Sequence, residues 1–96
     1  SVFNLMSKRL GEGKEIGLEV FDVLPTGKGS GVGLRKGDRI LFYDNYPVSN
    51  DTRDFFMYDL HTCERNTNKS LVEIVVIHDG RVMTLNVEEG LLGIQL

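Results

Sequence analysis

The sequence has few of the residues that cross-link or chelate in a small fold. Cys63 is the single cysteine among 96 residues, so the chain cannot close an internal disulfide. His61 and His78 add only two imidazoles, and a structural zinc site needs a full tetrahedral set of such ligands. We therefore expect no metal and no cofactor, and a fold that is stabilised by burial of apolar side chains.

A net basic charge and a long apolar run are also missing. Eleven Lys and Arg stand against fourteen Asp and Glu, a formal net charge of −3, which does not favour nucleic-acid binding. The longest apolar stretch, residues 71–77, is interrupted by Glu73 and falls well short of the roughly 20 residues that cross a bilayer. We expect no membrane insertion by this segment. The 41% of hydrophobic and 26% of charged residues are typical of one globular domain.

Turn residues divide the first half of the chain into short strands. Leu18, Val20 and Leu24 alternate with polar residues, which predicts a strand over residues 16–24. Glycines follow at positions 27, 29, 31 and 33, and they exclude a regular helix because each costs roughly 1 kcal/mol in a helix interior. At most a short, irregular helical turn is expected there.

A second pair of strands surrounds a tight turn. The β-prone run at 39–43 ends at Asp44-Asn45, two residues that tolerate left-handed backbone, and a short strand is predicted around Pro47 and Val48. Further on, the aliphatic residues 71–77 reach an Asp79-Gly80 turn. Apolar and β-branched residues follow that turn, which predicts a hairpin.

One segment has the spacing of an amphipathic helix. Phe56, Leu60 and Cys63 recur at i, i+4 and i+7 after several N-cap candidates, which predicts a helix over residues 52–64 with Cys63 in the core. Within it, Arg53 and Met57 are four residues apart and share a neighbouring face. The order of elements predicts a mainly β fold with α (α+β), a small, partly open barrel or sandwich capped by this helix and by the short turn.

Two ordered segments resemble the signature of PDZ domains. The first is Leu24-Pro25-Thr26-Gly27, and the second is Gly33-Leu34-Arg35-Lys36-Gly37-Asp38-Arg39-Ile40, which matches the pattern Gly-Leu-x-x-Gly-Asp-x-Ile. The turn at 44–48 and the hairpin also match, so the resemblance covers residues 16–88. It implies a PDZ-like domain over 16–96, preceded by an N-terminal extension or extra strand at 1–15, with Gly33, Leu34, Gly37, Asp38 and Ile40 as the structural motif. One departure is that glycines replace the alanines usual in the short helix.

The resemblance also implies a loop that binds a terminal carboxylate, and two segments could supply it. Gly90-Leu91-Leu92-Gly93-Ile94 lies where circularly permuted PDZ domains of some bacterial proteases and of Golgi-stacking proteins keep theirs. Successive amides around Gly93 could turn inward to form an anion-binding nest. The alternative is Ser1-Val2-Phe3-Asn4-Leu5-Met6, which lacks the glycine. Residues 91–96 could also be a simple edge strand.

We therefore expect a peptide to lie in a groove between the last strand and the helix at 52–64. The residues predicted to contact it are Leu92, Gly93, Ile94, Gln95 and Leu96 on one wall and Arg53 and Met57 on the other. Such a groove accepts an extended peptide or a C-terminal tail by β-strand addition.

The predicted function is that of a non-catalytic protein-interaction module. No segment completes a phosphate-binding Gly-x-x-x-x-Gly-Lys-Ser/Thr or a Gly-x-Gly-x-x-Gly pattern, and no spacing assembles a catalytic constellation. The alternatives are a regulatory or substrate-recognition domain of a larger protease, including a membrane-associated one, or a self-associating structural tether. A monomer or weak self-association is expected, and the sequence indicates no cellular compartment.

Overall fold

The aliphatic run at 71–78 forms a central strand of the main sheet. The computed structural model describes residues 17–49 and 57–96. β1 is Leu18–Glu19, β2 Asp22–Val23, β3 Arg39–Tyr43, β4 Tyr46–Pro47, β5 Leu71–His78, β6 Arg81–Glu88 and β7 Ile94–Gln95. The main sheet is antiparallel in the order β1-β3-β5-β6, with β4 paired to β3. β2 and β7 pair antiparallel in a separate ribbon.

The strand predicted over 16–24 is two short strands that belong to different sheets. β1 pairs with β3, whereas β2 pairs with β7. Val20 lies between them, fully buried, with its N–H donating to the Asp38 carbonyl and its carbonyl accepting from Gly37 N–H. Leu18 and Val20 are buried, whereas Leu24 is 62% exposed, so the predicted alternation holds only up to Val20, where the chain crosses from one sheet to the other. Ile16 lies outside the described residues.

Two helices occur in the described part of the chain. α1, Lys28–Gly31, is the short helical turn that the glycine run predicted. α2, Leu60–Asn66, begins later than predicted. Asp59 caps it by accepting from Thr62 N–H, and Tyr58 N–H donates to the Pro47 carbonyl in a parallel bridge with Val48.

The prediction of a helix over 52–64 is therefore wrong at its described N-terminal end. Residues 57–59 are not helical, because the bridge to Val48 holds their backbone extended up to the cap at Asp59. At the other end α2 continues to Asn66. Residues 50–56, which include Phe56, lie outside the described part.

The described elements confirm the coarse fold class: mainly β with helices, in open antiparallel sheets. Both predicted turns have left-handed backbone, with φ of 51° and 67° at Asp44 and Asn45 and 49° and 77° at Asp79 and Gly80. The predicted hairpin is confirmed as β5 and β6 in continuous register from Leu71–Glu88 to His78–Arg81. The predicted extension at 1–15 lies outside the described residues.

The main core cluster joins both sheets and α2. Its buried members are Leu18, Val20, Leu34, Ile40, Tyr43, Val48, Leu60, Cys63, Val72, Ile74, Val76, Val87 and Leu92. Cys63 is thus a core residue, as predicted. A second cluster holds Leu41 and Met57.

Asp38 links the Gly37-Asp38 turn to the hairpin. Its Oδ2 accepts from Arg35 N–H at 3.0 Å. Its Oδ1 lies 2.8 Å from His78 Nδ1. The His78 side chain is only 19% exposed because it packs onto the Asp38 carboxylate.

Asp38→Ala should lower the free energy of unfolding by about 2 to 3 kcal/mol, because two polar groups lose a buried, charged acceptor. Urea denaturation measures this loss. Glu88→Ala, which removes an exposed carboxylate, is the control and should change stability by less than about 1 kcal/mol. Equal effects of the two substitutions would show that the Asp38 contacts contribute little.

Tyr43 offers a second test of the core. Its side chain is fully buried, and its hydroxyl has no hydrogen-bond partner in the described part of the chain. Burial, with a smaller contribution from Glu64, raises the pKa of Tyr43 from 10.0 to about 12. The unfolded tyrosine therefore loses its proton first, so folding stability should fall as pH rises from about 10 towards 12.

Tyr43→Phe removes this buried donor. At pH 7 we expect unchanged stability or a gain of about 1 kcal/mol, because the hydroxyl is no longer desolvated without a partner. The alkaline loss of stability should shrink in the same variant. A clear loss of stability at pH 7, measured by urea denaturation, would show that the hydroxyl is satisfied in solution.

Candidate functional site

A glycine-bounded loop precedes the last strand. Residues 90–93, here called the glycine loop, begin and end with left-handed residues, with φ of 102° at Gly90 and 74° at Gly93. Between them Leu92 is fully buried and Leu91 is 64% exposed. Leu92 thus anchors the loop in the main core while its backbone stays at the end of β7.

The short helix α1 holds this loop from one side. Gly29 N–H donates to the Leu92 carbonyl at 2.9 Å. A Cβ on Gly27 or Gly29 would lie 2.9 or 3.0 Å from the same carbonyl oxygen, closer than side-chain carbons normally approach. The glycines that depart from the expected alanines therefore let the loop pack directly on the α1 backbone.

The β2–β7 ribbon leaves one edge of β7 without a strand partner among residues 17–49 and 57–96. Leu24 N–H donates to the Gly93 carbonyl and Phe21 N–H to the Gln95 carbonyl, both at 2.8 Å. Since alternate residues of a strand direct their backbone groups to opposite edges, the N–H and C=O of Ile94 point away from β2. That edge can accept another strand.

Side chains of β7 alternate in the same way. Ile94 and Leu96 are partly buried and pack against the main core cluster, whereas Gln95 is exposed. Leu60 and Cys63 of α2 belong to that cluster as well. The predicted residues Leu92 to Leu96 therefore follow one another along the glycine loop and β7, and α2 packs on the same core cluster.

Glu64 of α2 contacts the glycine loop directly. Its Oε2 accepts from Leu92 N–H at 2.8 Å, and its Oε1 lies 2.6 Å from His61 Nδ1. The Glu64 side chain is 1% exposed, whereas that of His61 is 48% exposed. A buried carboxylate therefore already accepts the hydrogen bond of a loop N–H that the sequence predicted to be free for a ligand.

Glu64 was not among the predicted site residues, although its position in the sequence contained a signal. The residue follows Leu60 by four and Cys63 by one, so it lies on the apolar side of α2. A carboxylate at such a position needs a buried hydrogen-bond donor. The donor, Leu92 N–H, is 28 residues away and could not be identified from spacing.

Lys28 of α1 supplies a positive charge near the start of the loop. Its ammonium group donates to the Glu89 carbonyl and lies 4.0 Å from Glu88 Oε2. A Cβ on Gly90 would be 3.2 Å from Lys28 Nζ. The ammonium group therefore ties α1 to the residues that enter the glycine loop.

Met57, one of the two residues predicted on the helix wall, lies elsewhere. Met57 precedes α2 and is 6% exposed in the second cluster with Leu41, packed against Phe42, Val75 and Ile77. Its predicted position beside the slot is wrong because the helix begins three residues later. Arg53 lies outside the described residues, as does the alternative loop at 1–6.

The structural motif residues help to position this site through α1. Leu34 and Ile40 are buried in the main cluster, and Gly33 and Gly37 have φ of 98° and 91°. Leu34 N–H donates to the Gly29 carbonyl at 2.9 Å. The motif therefore fixes α1, which in turn holds the glycine loop.

No protein-family model matches the chain, and no curated protein matches it closely enough to count as a relative. Within the described ranges, no helix has the length and apolar character needed to cross a membrane. The same residues contain no cluster of three or more His, Cys, Asp or Glu side chains placed to hold a metal ion.

Gly93→Ala tests whether the loop requires its left-handed residue. At φ +74° an alanine is strained, and its Cβ would lie 3.1 Å from Gly27 Cα. We expect a loss of about 1 to 2 kcal/mol in the free energy of unfolding, measured by urea denaturation.

Gly31→Ala is the matched control. A Cβ there would meet nothing within 4 Å among the described residues, and its φ is not left-handed. This substitution should be neutral or stabilising by up to about 1 kcal/mol. Similar effects at both positions would contradict the strained geometry of Gly93.

Proposed function

We propose that this chain is a PDZ-like domain of the circularly permuted type that binds an extended peptide by β-strand addition to β7. The observation that carries the proposal is the edge of β7 that has no strand partner among the described residues. β7 directly follows the glycine loop and lies on the same core as α2. An exposed strand edge beside a helix gives a peptide main-chain hydrogen bonds and side-chain pockets together.

The main-chain part of the interaction rests on Ile94. Its N–H and C=O point away from β2, so an incoming strand can donate to one and accept from the other. β7 itself is held in place from behind by the Leu24 and Phe21 amides. A rigid edge lowers the entropy cost of receiving a peptide.

Apolar side chains should be favoured in the ligand. Ile94 and Leu96 are only partly buried by the described residues, and they lie on the core side of β7. An alternating peptide could cover them with every second side chain. The exposed Gln95 would remain on the opposite face.

Binding without catalysis is the better reading of the polar groups. Burial raises the pKa of Cys63, which disfavours the thiolate that a nucleophile needs. The His61–Glu64 and His78–Asp38 pairs each lack an adjacent nucleophilic hydroxyl or thiol contact in the described part of the chain. These pairs orient backbone elements instead.

The proposal is tested by NMR titration with a pool of octapeptides that end in Val, Leu, Ile or Phe. Each peptide is supplied as a free acid, as a C-terminal amide and with two further residues. We expect amide shifts at residues 92–96 and 60–66. Absence of shifts with every form, or shifts confined to the other sheet edge at 81–88, would contradict the proposal.

Backbone methylation of a bound peptide distinguishes strand addition from side-chain docking. Alternate residues of an added strand direct their N–H groups to the partner, so N-methylation at every second position should reduce affinity at least tenfold. Methylation at the intervening positions is the matched control and should have little effect. Uniform tolerance of methylation would show that main-chain pairing is absent.

A further inference from the structure

The amide at the buried end of the glycine loop already has a negatively charged partner. Leu92 N–H donates to Glu64 Oε2 at 2.8 Å, and the Glu64 side chain is 1% exposed. Leu92 is itself fully buried, so this amide has no access to bulk water. A ligand carboxylate bound at the neighbouring amides of the glycine loop would therefore lie close to a buried carboxylate that little solvent screens.

We infer that Glu64 is a specificity-determining residue that disfavours a free C-terminal carboxylate and selects extended segments whose chain continues past the glycine loop. The inference rests on the proposed function and names the class of peptide that the same groove takes. Two carboxylates that share a buried site cannot both ionise without a large cost, because little solvent screens their repulsion.

Nearby positive charge does not offset this repulsion. The Lys28 ammonium group is already bonded to the Glu89 carbonyl and lies 4.0 Å from Glu88 Oε2. His61 contacts the other oxygen of Glu64, at 2.6 Å. Among residues 17–49 and 57–96, the carboxylates of Glu64, Glu88 and Glu89 near the loop therefore outnumber the lysine at 28.

A chain that continues carries no charge at this point. Its backbone N–H and C=O groups are neutral, so the buried Glu64 carboxylate does not repel them. Glu64 therefore disfavours a terminal carboxylate without opposing an extended segment.

The test compares three forms of one peptide from the octapeptide pool. The sequence chosen is the one that gives the largest amide shifts when the shifts from all its forms are added. Dissociation constants of its free acid, its C-terminal amide and its version with two added residues are measured by NMR titration at pH 7. For the native chain we expect the acid to bind at least tenfold more weakly than the other two forms.

Glu64→Gln keeps an acceptor for Leu92 N–H and removes the charge. In this variant we expect the acid to gain at least fivefold relative to the other forms. Glu73→Gln removes one charge from an exposed position on β5 and is the control, with the native preference retained. An unchanged preference in Glu64→Gln would assign the discrimination to other groups and overturn the inference.

If Glu64→Gln does not fold, the affinities of the three peptide forms for the native chain still test the inference. Equal or tighter binding of the free acid would overturn the inference while leaving peptide binding intact. Failure of all three forms to bind would instead contradict the proposed function. The two failures are therefore distinguishable in the same set of titrations.

Discussion

The backbone of Leu92 is held from two directions, and the candidate site depends on this clamp. Its carbonyl accepts from Gly29 N–H of α1, and its N–H donates to Glu64 of α2. The side chain between them fills the main core. One residue thus joins two helices to the start of β7, so buried contacts position the edge that we propose as the receiver of a strand.

This clamp explains an unusual feature of the glycine run. Glycines in a short helix lower its intrinsic stability, yet Gly27 and Gly29 let the Leu92 carbonyl approach the α1 backbone closely. The glycines lower the helix propensity of α1, but they allow the buried hydrogen bond from Gly29 N–H to the Leu92 carbonyl. The Asp38 turn then fixes the other end of the same segment through Arg35 and His78.

Glu64 gives the clamp a chemical consequence. A neutral acceptor would also satisfy Leu92 N–H, but Glu64 places a buried carboxylate beside the glycine loop. Under the inference made above, the contact that stabilises the loop also sets which peptide ends it tolerates.

Local patterns were sufficient for the hairpin, the 39–43 strand and both tight turns, because these depend on alternation and on residues that tolerate left-handed backbone. They failed where distant partners compete. The bridge from Tyr58 to Val48 delays the start of α2, and Met57 consequently packs in a second cluster. Glu64 found its donor only through folding, because the energy of a buried charge depends on groups that sequence spacing cannot locate.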